Sequence, residues 1–143
     1  MNHCDNTAVE SLLRERKIKS TPNRVLVARA LMGASAPLAL TDLEAELDTV
    51  DRSAIFRVLN LFRSTDLVHT IDDGSGKTKY ELCRGHHTCA PSHLHTHFHC
   101  TRCDATVCLT DVPVPAVSLP EGYVARGFNY VITGLCPACA APE

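Results

Sequence analysis

Cys100-Thr101-Arg102-Cys103 is answered near the end of the chain by Cys136-Pro137-Ala138-Cys139, and the reading of this pairing decides the fold. A Cys-x-x-Cys step turns the backbone tightly enough for two thiolates to face one ion. Two such steps complete a tetrahedral zinc site. The four cysteines are therefore assigned to a structural zinc, which contributes roughly 10–16 kcal/mol of apparent folding free energy at neutral pH. A pair of redox dithiols is the competing reading, but the βαβ pattern that accompanies such dithiols is missing. Directly before the first pair runs His93-Leu94-His95-Thr96-His97-Phe98-His99. A histidine-rich strand beside a thiolate site predicts two metal sites with different tasks, one holding the fold and one sensing.

Side chains alternate along a strand, so the four histidines share a face. Neighbours on that face stand roughly 6.6 Å apart at the backbone; two adjacent ones reach a single metal, and all four do not. Working outward, residues 106–109 and 123–133 read as further strands. Residues 111–122 hold Pro113, Pro115 and Pro120 and read as irregular. This β-rich unit is too small to build much of a core alone and is expected to depend on zinc and on dimerisation.

Upstream of residue 84 the pattern is helical. Residues 8–17 read as a short helix. Thr21-Pro22 supplies an N-cap and a first-turn proline for a helix over 23–32 that ends at Gly33. Thr41-Asp42-Leu43-Glu44 forms a capping box for a short third helix. Asp51 caps a fourth helix over 52–63, in which Ile55, Val58, Leu59 and Phe62 fall at i, i+3, i+4 and i+7 and make one buried face. Arg52, Ser53, Phe56, Arg57, Asn60 and Arg63 lie largely away from it. Such a face suits a DNA major groove, where arginine reads guanine or clamps phosphate and an apolar side chain meets a thymine methyl. Strands over 67–71 and 77–83 follow, joined by the turn-forming Asp72-Asp73-Gly74-Ser75-Gly76. This hairpin completes a winged helix-turn-helix, with Lys77 and Lys79 near the phosphates.

The 143 residues, 45% of them hydrophobic, suffice for one ordinary domain or two small ones. The predicted fold class is α+β: a winged-helix DNA-binding domain over 1–83, a hinge loop over 84–94, and a zinc-bound β-rich dimerisation domain over 95–143. No export signal is visible and no apolar run spans a membrane. With these features, the 8 cysteines favour metal over disulfides and a reducing, cytoplasmic compartment. The net charge of −2 lacks the basic balance usual in nucleic-acid binders. However, Arg14, Arg16, Lys17, Lys19, Arg24 and Arg29 cluster in the first two helices, and local basic faces govern phosphate contact. Lys19 and Arg24 therefore join the arginine face as candidate DNA contacts.

Three blocks resemble the ferric uptake regulator family of bacterial repressors, over nearly the full length. They are Thr21-Pro22-Asn23-Arg24; Ser53-Ala54-Ile55-Phe56-Arg57-Val58-Leu59-Asn60; and His95 to Cys103 together with Gly134-Leu135-Cys136-Pro137-Ala138-Cys139. The resemblance implies a winged helix, a C-terminal dimerisation domain and metal-dependent binding to operator DNA, with residues 53–60 in the recognition helix. It implies His95 and His97 as regulatory ligands and leaves His93 and His99 to solvent. Glu81 stands where family members offer a carboxylate from the end of the wing, and Cys108 where many carry Asp or Glu. His69 and Cys83 match places where the zinc-sensing branch uses a wing histidine and a cysteine. The candidate regulatory set is thus His69, Glu81, Cys83, His95, His97 and Cys108, of which about four would bind one ion. Pro37 replaces a histidine often found before the third helix. Leu94, Thr96 and Phe128 occupy the ligand positions of an additional family site, which is expected to be absent.

The expected function is a metal-dependent DNA-binding repressor controlling metal uptake. It would act as a homodimer on a palindromic double-stranded operator, with structural Zn2+ and a second divalent ion, zinc or iron(II), as effector. Sulfur at Cys108 favours zinc, whereas oxygen and imidazole suit iron or manganese. The alternatives are a peroxide- or haem-responsive regulator of the same kind, with Cys89 and Cys136-Pro137 as haem candidates, and a zinc-ribbon interaction module without DNA binding. The arginine face argues against the last. A zinc deaminase needs an H-x-E signature that the sequence lacks, and no histidine–glutamate metallohydrolase motif is present. No enzyme is expected.

Overall fold

The computed structural model describes residues 6–83, 95–125 and 129–142, and of His95 and Thr110 the backbone alone. In chain order the elements are α1 (Asn6–Glu15), α2 (Pro22–Gly33), β1 (Leu38–Ala39), α3 (Leu40–Glu46), α4 (Arg52–Ser64), β2 (Val68–Asp72), β3 (Thr78–Leu82), β4 (His95–Cys100), β5 (Thr106–Pro113), β6 (Val131–Gly134) and α5 (Pro137–Ala140). No helix of the described residues is long and apolar enough to cross a membrane. The loop expected over 84–94, with His93, Leu94 and Cys89, lies outside the described residues, as does Phe128.

The helices form where their apolar spacing directs. Val9 and Leu13 of α1, one turn apart, are fully buried. In α4, Ile55, Val58, Leu59 and Phe62 are the buried residues, as the i, i+3, i+4, i+7 pattern predicts. Each fully buried apolar side chain stabilises the fold by roughly 1.5–3 kcal/mol. They pack with Val27, Leu31, Leu43, Leu67 and Leu82 into one core. The Asp51 carboxylate accepts the Ser53 amide at 3.3 Å and so caps α4.

Two caps differ from expectation. Thr21 is extended, but its side chain makes no capping bond, so Pro22 at the first turn carries the start of α2. The α3 cap falls at Ala39, whose N–H donates to the Asp42 carboxylate at 2.8 Å, two residues before Thr41. The cause is tertiary: Leu38 and Ala39 pair with Tyr80 and Lys79 as β1, and this pairing fixes where the helix begins.

The first sheet has strand order β1-β3-β2. Its antiparallel hairpin sets His69 opposite Glu81 and Ile71 opposite Lys79. Gly74 and Gly76 turn the hairpin at φ of 84° and 85°, a backbone region open to glycine at no steric cost.

The second sheet has order β5-β4-β6. β5 is antiparallel to β4, with His97 opposite Cys108 and Phe98 opposite Val107. β6 runs parallel to β4, with His97 opposite Val131 and Phe98 opposite Ile132. One face therefore carries His97, Cys108, His99 and Thr106, and the other Phe98, Val107 and Ile132. β5 extends to Pro113, past the expected end, and β6 is confined to Val131–Gly134. A register shift between His95 and Thr96 interrupts the alternation that was to align His95 with His97. Gly134 admits the Phe98 ring, since a Cβ there would meet Phe98 Cζ at 3.3 Å.

Candidate metal centres and nucleic-acid interface

Cys100 ends β4, Cys103 follows in the next turn, Cys136 caps α5 and Cys139 lies within it. The parallel pairing of Cys100 with Gly134 brings the two ends together. All four sulfurs lie within 4.8 Å of one another, Cys103 Sγ being 3.9 Å from Cys136 Sγ. Arg102 donates to the Cys139 carbonyl at 2.8 Å and laces one turn to the other. Backbone N–H groups of Cys103 and Cys136 lower the Cys100 thiol to about 6, while the adjacent Cys136 sulfur and burial push Cys139 up to about 12. Four sulfurs so crowded resist collective ionisation, and a dication relieves that crowding. Four free thiols at tetrahedral reach fit a structural zinc. Cys136, whose Pro137 neighbour completes a haem-binding dipeptide, is committed to this cluster.

A second cluster joins the two sheets. His69 from β2, Glu81 from β3 and His97 from β4 offer ligand atoms within 4.8 Å of one another. Glu81 Oε2 lies 3.1 Å from His69 Nε2 and 2.7 Å from His97 Nε2. All three side chains are at most 17% exposed. Burial alone would raise the Glu81 carboxyl, but hydrogen bonds from His69 and His97 outweigh it and hold the group well below the usual carboxylate range. Two imidazoles meeting one ionised carboxylate form a donor set suited to a borderline divalent cation.

The other candidate ligands stand around this trio. Cys83 Sγ is 3.4 Å from His69 Nδ1, on the opposite ring nitrogen from Glu81, and the cysteine is disulfide-bonded. Cys108 stands directly across the strand pair from His97. Neither sulfur belongs to the three-residue cluster. The His95 side chain lies outside the described atoms.

The sequence model of the ferric uptake regulator family matches residues 15–129. The chain belongs to the ferric uptake regulator family. It is thus a metal-dependent transcription regulator and not an enzyme. Solved structures share its fold. The ferric uptake regulator of Helicobacter pylori superposes with TM-score 0.63 at 14% identity, over 94% of this chain and 95% of that one. The Pseudomonas aeruginosa regulator with manganese gives 0.60 at 18% identity, over 90% and 97%. A zinc uptake regulator complexed with zinc and DNA gives 0.63 at 21% identity, over 94% and 91%. No curated protein sequence matches the chain.

In this ferric uptake regulator family member, Arg52, Ser53, Phe56, Arg57, Asn60 and Arg63 are all exposed along α4, with Phe56 46% exposed. Arg52 pairs with Glu44 at 2.7 Å, while Arg24 donates to the Lys19 carbonyl at 3.0 Å and braces the turn that carries Lys19. Two expectations are corrected. Lys79 does not reach for DNA; its ammonium is buried against Asp73 at 2.6 Å. His99 does not face solvent; it is 6% exposed, with Nδ1 2.9 Å from the Thr106 hydroxyl. Both invert because the hairpin packs on the second sheet, which strand alternation by itself does not reveal. Thr96, expected where an additional family ligand would sit, is fully buried with its hydroxyl 3.5 Å from the Pro113 carbonyl.

Proposed function

We propose that the chain is a homodimeric repressor whose operator affinity is switched by a divalent cation held between His69, Glu81 and His97. One observation carries this reading: the three ligands come from two different sheets. A cation bound to all three is stable only while the wing and the C-terminal sheet stay together, so binding shifts the population toward that arrangement. The exposed face of α4 supplies the DNA contacts, with Arg57 on base edge or phosphate and Phe56 against a thymine methyl. Ser53, Asn60, Lys19 and Arg24 flank them.

The outer face of the second sheet supports a dimer. Val107 and Ile132 are 41% and 43% exposed there, an apolar strip that a second copy would cover. Two copies related by a twofold axis present two α4 helices to half-sites of a palindrome, about 34–36 Å apart for one turn of DNA. The trio accepts zinc and iron(II) alike; recruiting the Cys108 or reduced Cys83 sulfur, or His95, would tilt the site toward zinc or complete its coordination. A reducing cytoplasm is the compartment in which such thiols work.

The test is metal analysis paired with DNA retention. The purified protein should hold one tightly bound zinc per chain and acquire a second metal when zinc or iron(II) is added. Retention of a duplex selected from a random pool should appear with the second equivalent. Retention in full with the cysteine zinc alone would refute the proposal.

A further inference from the structure

The hairpin β2–β3 meets the second sheet in two layers, two residues apart on each side. Glu81 against His97 is the first. Lys79 against Thr106 and His99 is the second, and it contains its own cation. Lys79 Nζ lies 2.6 Å from Asp73 Oδ2 and donates to Thr106 Oγ1 at 2.9 Å. The Thr106 hydroxyl donates to Asp73 Oδ2 at 2.5 Å and faces His99 Nδ1 at 2.9 Å. One donor and two acceptor sites of the hydroxyl are thereby all used. Asp73 is 0% and Lys79 11% exposed. Beside them Asn129 brackets the Asp72 backbone, accepting its N–H at 3.2 Å and donating to its carbonyl at 2.8 Å.

A buried ion pair is a poor device for stability alone, since well-packed apolar residues of similar volume often serve as well or better. Directional partners give geometry instead. We propose that Lys79 and Asp73 are positioning residues. Their clasp on Thr106 and His99 sets the wing against the C-terminal sheet before any effector binds, so that the regulatory cation closes a junction already half made. The ammonium fills in the second layer the role the cation fills in the first. This inference rests on the metal-gated DNA binding proposed above.

The experiment compares wild type with Lys79→Met and with the double variant Lys79→Met/Asp73→Asn, each with its cysteine zinc in place. The double variant removes both charges and keeps a folded control if the single one fails. Zinc is titrated against binding of the selected duplex, and amide hydrogen exchange of β2–β3 is followed without added zinc. Loss of the clasp should raise the zinc concentration for half-maximal DNA binding about tenfold, within the usual range of coupling between sites. Hairpin exchange should rise by a similar factor and return to wild-type values at saturating zinc. A lower melting temperature with an unchanged zinc midpoint and unchanged hairpin exchange would overturn the proposal and leave a merely structural pair. If wild type itself binds the duplex independently of zinc, the gating reading fails, which is a separate result.

Discussion

Glu81 is the residue on which His69 and His97 converge, and its charge is what they stabilise. Glu81→Gln keeps the shape and removes the charge; it should weaken metal binding at the second site at least about tenfold while the cysteine zinc stays bound, as read by competition with a chromophoric chelator. Because the folded carboxyl sits below its ordinary value, the stability it contributes is present above about pH 4.3 and is lost only as acid takes the pH below that. The melting gap between wild type and Glu81→Gln should narrow as the pH falls below about 4. On α4, Arg57→Ala should reduce affinity for the selected duplex about tenfold or more, the range for one good base contact, with helicity by circular dichroism unchanged. The sequence singled out the four cysteines and His97 by their chemistry, and the structure gathers them into two clusters of candidate ligands. Lys79 and His99 were misread because a polar residue on an alternating strand looks solvated until its covering sheet is known. Asp73 carried only a turn signal, yet it is the buried anion of the clasp.

At the scale of elements, α4 was readable because its four apolar positions repeat at helical spacing and Asp51 marks its start. Leu59, fully buried at its centre, should cost 2–5 kcal/mol on change to Ala (on the order of other buried leucines), measured by denaturant unfolding. The proposed zinc end of the second sheet has little apolar core of its own, since among its described residues Cys100 is the sole buried hydrophobic side chain. Cys103→Ser should therefore loosen β4–β6 while α1–α4 keep their fold, visible as lost amide protection confined to the C-terminal sheet. The parallel β6 escaped sequence reading in detail. Its pairing is reached through a long connection, and no local pattern distinguishes a parallel partner from an antiparallel one. The cap of α3 was displaced for a similar reason: β1 pairs with β3 across forty residues of chain, and that pairing overrides the local capping signal.

For the whole molecule, the two sheets and the helical core followed from residue patterns, but their junction did not. It depends on β3 meeting β4, a contact between segments that no spacing rule connects. The proposed switch resides at that junction, where one layer holds three candidate metal ligands and the next holds an ammonium ion. In the proposed dimer, the junction links the hairpin that follows α4 to the sheet with the apolar outer face, so a change in the junction would alter how two reading helices are presented. The most direct measurement is the DNA-binding isotherm of the protein as a function of metal bound per chain, starting from protein that holds only its cysteine zinc. Binding should be weak at one equivalent, rise to saturation at two, and stay weak for Glu81→Gln at either loading. Tight binding at one equivalent, or tight binding by Glu81→Gln without the second ion, would contradict the account.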